Sequence, residues 1–369
     1  MSGSVRITAS LIVKNEAAFL EGCLLLLVDR VDEIVVVDTG STDATLEIAR
    51  RFGARVIEVT WRHDFAHARN VGLDAASGDW LLYIDADERL SVPDGLNLAT
   101  NLDASDIFAA RVLFTPTLNA TPYREYRLFR NDPRLRFKGS MHETMLPDLD
   151  ALIASEGVRV VESPASIVHL GYEGDQTHKY RRNLPLLRAA LAQNPDRLYY
   201  WNHLAETLTG LGETEEALQV SARGLELARE RSDRQSRRTA STLAFSNARL
   251  LDEAGHDALP IIALGLEWYP ANRALLFLKA RVLINAARYH EALSILDALV
   301  AEDAGTFCDP ELSYDRRIFG SFAHDLTGVA LLRMGRRAEA AAAFARAATA
   351  EPGNPSYRIK AMALGVPPS

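Results

Sequence analysis

The sequence predicts an α/β domain built on a Rossmann-like sheet flanked by helices, followed by an all-α domain of helical repeats. Three observations carry this. Strands and helices alternate over the first ninety residues, Ile34-Val35-Val36-Val37 forms an unbroken β-branched run, and an Ala- and Leu-rich repeat sets in after about Tyr180.

The elements follow in order. Residues 7–13 are an apolar strand and 17–27 a helix. Residues 33–37 read as a strand buried on both faces, which suits a parallel sheet. Residues 42–52 read as a helix with Ser41 or Thr42 as N-cap and Gly53 as its stop. A strand is expected at 55–59, a helix at 65–76 and a strand at 80–84 that runs into Asp85. Such βαβ units place ligands beyond the carboxyl ends of their strands. Lys14-Asn15-Glu16, Asp38 and Asp85 all fall at those ends. Residues 106–169 read as short strands and loops, with Pro116, Pro122, Pro133 and Pro147 as breakers.

From about Tyr180 the pattern is helical. Glu-Glu-Ala-Leu ends at Leu218, His-Glu-Ala-Leu at Leu293 and Ala-Glu-Ala-Ala at Ala341. Ala258 and Ala292 lie 34 residues apart, the tetratricopeptide period. Trp201, Ala205, Gly212 and Ala217 fit that pattern, as do Gly328, Gly335, Ala340, Phe344, Ala347 and Pro352. Three to four degenerate repeats are expected, with a weak match over 229–242 and an insert at 303–317. The domain division expected is 1–178 for the sheet domain and 179–369 for the repeats.

Composition narrows the function classes. The 369 residues allow two or three domains and are 48% hydrophobic, enough for real cores. The net charge of -8 argues against nucleic acid or an anionic membrane as a bulk partner. Two cysteines, Cys23 and Cys308, give neither a disulfide framework nor zinc-ligand spacing. No apolar run reaches the roughly 18 residues of a membrane helix, and no signal peptide is recognisable. A cytoplasmic location is the expectation.

Asp85-Ala86-Asp87 follows a buried strand. Two carboxylates one residue apart can face a divalent cation and a ribose; alone, the motif reads rather as a solvated turn, and its position at a sheet's carboxyl edge reverses that preference. Asp38 can accept hydrogen bonds from a base or ribose, whereas capping of the next helix accounts for Ser41, Thr42 and Asp43.

Val13-Lys14-Asn15-Glu16, Val37 to Asp43, Ala68-Arg69-Asn70, and Gly78-Asp79-Trp80 through Asp85-Ala86-Asp87-Glu88 together resemble family 2 glycosyltransferases of the GT-A fold. With C-terminal tetratricopeptide repeats, the chain is similar to a bacterial subgroup that includes peptide S-glycosyltransferases. The resemblance implies inverting transfer from a nucleotide-activated sugar, a UDP-sugar being the first donor expected, with Mg²⁺ or Mn²⁺ as cofactor. It places Lys14, Asn15, Glu16, Asp38, Arg69 and Asp85 at the nucleotide sugar and Asp87 on the metal. A salt bridge to Asp64 or Asp38 is the structural alternative for Arg69.

Two further clusters extend the resemblance. In His142-Glu143, Glu143 is the expected general base, with His142 orienting it or acting in its place. In Val168-His169-Leu170-Gly171-Tyr172, His169 is the expected second metal ligand. Lys179 and Arg182 read as a solvated helix start rather than a diphosphate site. The repeats would offer a groove to a peptide or protein acceptor, or a homodimer surface.

Other classes lack their parts. There is no Walker or dinucleotide glycine pattern, and Ser41 is not in a nucleophile elbow. His63 and His67 lack the Glu of a zinc protease. A nucleotidyltransferase would need an early glycine-rich loop, and a scaffold carrying a decayed domain would not need Asp38, Arg69, Asp85 and Asp87 intact.

Overall fold

The computed structural model describes residues 5–116, 119–170 and 176–365. The described chain divides into two compact units, one of residues 5–116, 122–170 and 309–311, the other of 119–121, 176–308 and 312–365.

The first unit opens with β1 (Ile7–Val13), α1 (Ala17–Leu27), β2 (Glu33–Asp38), α2 (Thr45–Arg51), β3 (Arg55–Glu58), α3 (Phe65–Ala75) and β4 (Trp80–Tyr83). It continues with β5 (Glu88–Ser91), β6 (Ile107–Thr115), β7 (Tyr123–Arg130), α4 (Leu146–Glu156) and β8 (Arg159–His169). All eight strands form one sheet in the order β3-β2-β1-β4-β7-β6-β8-β5. The strands β3, β2, β1 and β4 run parallel, and β7 enters antiparallel to β4.

The unbroken run in β2 is explained by helices on both faces. Val36 packs with Leu20, Leu24 and Leu82, while Val35 and Val37 pack with Ala68 of α3. Each such burial is worth about 1.5–3 kcal/mol. At Gly72 of α3, a Cβ would strike the Ser10 hydroxyl of β1, so only glycine lets helix and strand approach this closely.

Two local expectations change. Helix α2 begins later than expected, with Ala44 rather than Ser41 or Thr42 at the N-cap and no side-chain cap. Ser41 and Thr42 are instead held by Asp38 and Asn15. The stretch 106–169, expected as short strands and loops, contains strands of 9, 8 and 11 residues and a helix. Pro147 starts α4 rather than breaking it, and Gly157 ends the helix with a φ of 69°. Between Arg111 and Leu113 the β6–β8 register slips, and Ser163, Pro164 and Ala165 take up the slack.

The second unit holds α5 (Thr177–Gln193), α6 (Leu198–Gly210), α7 (Thr214–Ala228), α8 (Arg234–Glu253), α9 (Leu259–Trp268), α10 (Arg273–Asn285), α11 (Tyr289–Val300), α12 (Ser321–Arg333), α13 (Arg337–Ala350) and α14 (Pro355–Met362). Successive helices pack as pairs: α6 with α7, α8 with α9, α10 with α11 and α12 with α13. The weakly matching stretch near 229–242 leads into α8, and the insert carries a 3-10 turn, Arg316–Phe319. Gly328 lies against the ring of Phe344, the close helix crossing that the small residues of the repeat pattern predict.

Candidate active site

The site lies at the carboxyl edge of β1, β2 and β4. The loop after β1 is stitched to the loop after β2. Asn15, at a left-handed φ of 57°, donates its N–H to Ser41 Oγ (2.8 Å) and accepts the Thr42 N–H on Oδ1 (2.7 Å). The Glu16 N–H meets Thr45 Oγ1 at 2.8 Å. Lys14 is exposed. Asn15 and Glu16 therefore shape the loop pair, whatever else they touch.

Asp38 is 2% exposed. Its carboxylate accepts the Gly40 and Ser41 N–H groups, each at 2.9 Å, and the Ser41 hydroxyl. It closes its own loop.

Arg69 of α3 is the hub. Its Nη2 lies 2.9 Å from Asp85 Oδ1 and its Nε 2.5 Å from Glu143 Oε1. The sequence alternative of pairs to Asp64 or Asp38 gives way: Asp64 caps α3 by accepting the His67 N–H at 3.0 Å. The Arg69 and Glu143 side chains are 8% and 11% exposed, while that of Asp85 is 39% exposed and open to a ligand. Burial pushes the Asp85 carboxyl up, but Arg69 and Arg127 outweigh it and hold it below the usual carboxylate range. Glu143 is delivered by residues 137–144, tied down where Phe65 N–H meets Ser140 O at 2.9 Å and Lys138 pairs with Thr144. His142, just before Glu143, has a φ of 51°, a conformation uncommon outside glycine.

Asp87 and His169 come together because β5 and β8 pair with Glu88 opposite His169. His169 Nε2 is 3.1 Å from Asp87 Oδ2, and its Nδ1 is 3.1 Å from Pro116 O. Burial pulls the imidazole pKa down, yet the hydrogen bond and charge of Asp87 raise it above its ordinary value. With the Pro116 carbonyl accepting Nδ1–H, the Asp87 carboxylate accepts Nε2–H of the imidazolium, and a divalent cation bound between Nε2 and Asp87 would take the place of that proton. One oxygen and one imidazole donor fit Mn²⁺ or Mg²⁺, which keep waters and phosphate oxygens among their ligands. Among the described residues, no group of three or more acidic, His or Cys side chains forms a metal cage. The Gly171-Tyr172 of the same motif lie outside the described residues.

Sequence reasoning gave no role to Tyr83, Glu88 or Arg127. Arg127 binds Glu88 through both nitrogens of its fork, at 3.1 and 2.7 Å, with side chains 6% and 1% exposed. Burial pushes the Glu88 carboxyl up to about 7, against the pull of Arg127. The Tyr83 ring centroid lies 5.0 Å from Arg69 Cζ and 4.7 Å from Arg127 Cζ. Cys23, whose thiol sits 3.5 Å from Asp85 O, is pushed up to about 12 by burial and is no nucleophile. Asp-Ala-Asp-Glu followed by a distant arginine was the available signal, but nothing in the chain names the partner.

Residues 9–145 match the family model Glycosyl transferase family 2. A TPR repeat-containing protein of Synechococcus elongatus is 36% identical over 231 residues, 61% of this chain and 57% of that protein. The SPbeta prophage-derived glycosyltransferase SunS of Bacillus subtilis is 26% identical over 226 residues, 59% of this chain and 52% of that one. Among solved structures, the mannosyltransferase PcManGT of Pyrobaculum calidifontis, in complex with GDP-Man and Mn²⁺, superposes with a TM-score of 0.42 at 20% identity, over 75% of this chain and 84% of that one. Over residues 9–145 the chain is thus similar to glycosyltransferase family 2, and over 231 residues it is similar to a TPR repeat-containing protein. It spans little more than half the length of these two curated relatives. No helix among the described residues is long and apolar enough to cross a membrane.

Proposed function

We propose that the protein transfers a sugar, with inversion, from a nucleoside-diphosphate sugar to an acceptor. The observation that carries this is Arg69 holding Asp85 and Glu143 together at the carboxyl edge of a family 2 sheet. In this reading Asp85 meets the nucleoside or ribose from its open side, and Lys14, exposed at the end of β1, reaches the donor. Asp38, Asn15 and Glu16 frame the loops that face the nucleotide. Asp87 and His169 would hold Mg²⁺ or Mn²⁺, which neutralises charge on the departing diphosphate.

Glu143 takes the acceptor's proton as the acceptor attacks the anomeric carbon, and His142 sets the angle of that carboxylate. Arg69 keeps Glu143 pointed. Carboxylates at the site also favour the positive charge that develops on the sugar. A UDP-sugar is our first choice of donor. The acceptor would be chosen by the helical pairs of residues 179–369, the repeat domain of our proposed division, with a peptide or protein favoured by analogy with helical-repeat proteins. We place the reaction in the cytoplasm.

The test is to incubate the protein with a panel of nucleotide sugars and a metal series, reading the nucleoside diphosphate released and donor binding by calorimetry. Metal-dependent turnover, lost in Asp87→Ala, is expected. Failure of the wild type to bind or turn over any donor sinks the reading.

A further inference from the structure

We propose that Glu88 and Arg127 are positioning residues for donor and metal binding, holding the Asp85–Asp87 turn from behind without touching substrate. The inference rests on the transferase reading above. Strand β4 ends at Tyr83, so the Asp85 N–H lies beyond the sheet ladder. Glu88 supplies its acceptor: Oε2 takes that N–H at 2.9 Å, while the Glu88 N–H returns to Asp85 O at 3.0 Å. The turn is thus closed twice, once by backbone and once by a side chain, and both acids of Asp-Ala-Asp ride on it.

Arg127 fixes the carboxylate that closes the turn. Its fork binds both Glu88 oxygens, and Nη2 also lies 3.1 Å from Glu125 Oε2. Its Cζ is 4.7 Å from the centroids of both Tyr83 and Phe114. A planar guanidinium held by rings and by two carboxylates has one orientation, which a lysine in its place would not keep. A pair this deeply buried is weak as a source of stability, because the desolvation of both charges offsets their attraction. Direction is what it supplies. The Tyr83 ring, shared between Arg127 and Arg69, places the hub of the site against the same support.

The test uses Arg127→Lys and Glu88→Gln in the full chain, with the wild type alongside. Donor KM, acceptor KM, kcat and Mn²⁺ half-saturation are measured at a temperature where circular dichroism shows all three folded. Loss of outer-shell support costs about 10–100-fold in metal affinity. The expected result is a donor KM and Mn²⁺ half-saturation raised at least about tenfold, with acceptor KM unchanged. A merely structural role would lower the melting temperature and leave the donor KM alone. Unchanged donor KM and Mn²⁺ titration in both variants overturns the inference while the wild-type activity stands. So does failure of both to fold, which would make the pair a fold element. A wild type with no donor turnover defeats the transferase reading itself, and this inference with it.

Discussion

Asn70 and Phe137 grip each other through two hydrogen bonds of 3.0 Å, one from Asn70 Nδ2 to Phe137 O and one from Phe137 N to Asn70 Oδ1. A side-chain amide here does the work of a neighbouring strand. It fastens the start of the loop carrying Glu143 to the helix residue next to Arg69, so the loop sets out toward Arg69 from a fixed contact.

Asn70→Ala removes both bonds and leaves a buried N–H and C=O without partners. A loss of roughly 1–3 kcal/mol is expected in urea unfolding. Transfer activity should fall further than the stability loss explains, because Glu143 loses its anchor. A variant with wild-type kcat would show that the clamp does not set the base.

Arg69→Lys keeps one positive charge but cannot reach two carboxylates in fixed geometry. A kcat/KM lower by about a hundredfold is expected, the scale on which small misplacements act. Steady-state kinetics decide it, and near-normal kcat/KM would show that charge alone suffices.

Glu143→Gln preserves shape while removing the proton acceptor. We expect kcat to fall by about 10²–10⁴ with donor KM little changed. If kcat persists and His142→Ala abolishes it instead, the base is the histidine.

Glu33 ties three segments together. Its Oε2 accepts the Thr8 hydroxyl at 2.6 Å, the Ser77 N–H at 2.7 Å and the Ser77 hydroxyl at 3.0 Å. Burial raises its pKa, but these hydrogen bonds and Arg55 outweigh burial and leave it below its ordinary 4.5. A depressed folded pKa contributes stability that is fully present above the unfolded value and lost as pH falls through the folded one. The stability gap between wild type and Glu33→Gln should therefore be constant from pH 7 down to about 5 and shrink below 4.5. Urea midpoints across that range measure it, and a gap that widens on acidification would reverse the assignment.

Much of the parallel half of the sheet was legible because its signals are local. The run Ile34 to Val37 and the glycine after α2 speak for themselves, and strand ends followed by acids mark a ligand edge. What stayed hidden depends on partners far along the chain. Arg127 and Glu88 are 39 residues apart, and Asn70 and Phe137 are 67 apart. Their pairing follows from β7 entering antiparallel beside β4 and from the path of residues 131–145, neither of which has a period to read. Pro147 shows the same limit in miniature. A proline punctuates, but whether it opens a helix or ends a segment depends on what lies behind it. Ser41 and Thr42 looked like helix caps for lack of any way to see Asn15 reaching across from β1.

Gly72 sits three residues beyond Arg69 on α3, facing Ser10 at a spacing where even a methyl group does not fit. The inner side of that helix is therefore closed to experiment by nature or by engineers: a substitution there would lift the hub of the site away from both of its acids. Retuning the protein toward a new sugar or acceptor has to proceed through the loops around the helix, while the helix itself stays where the bare position puts it.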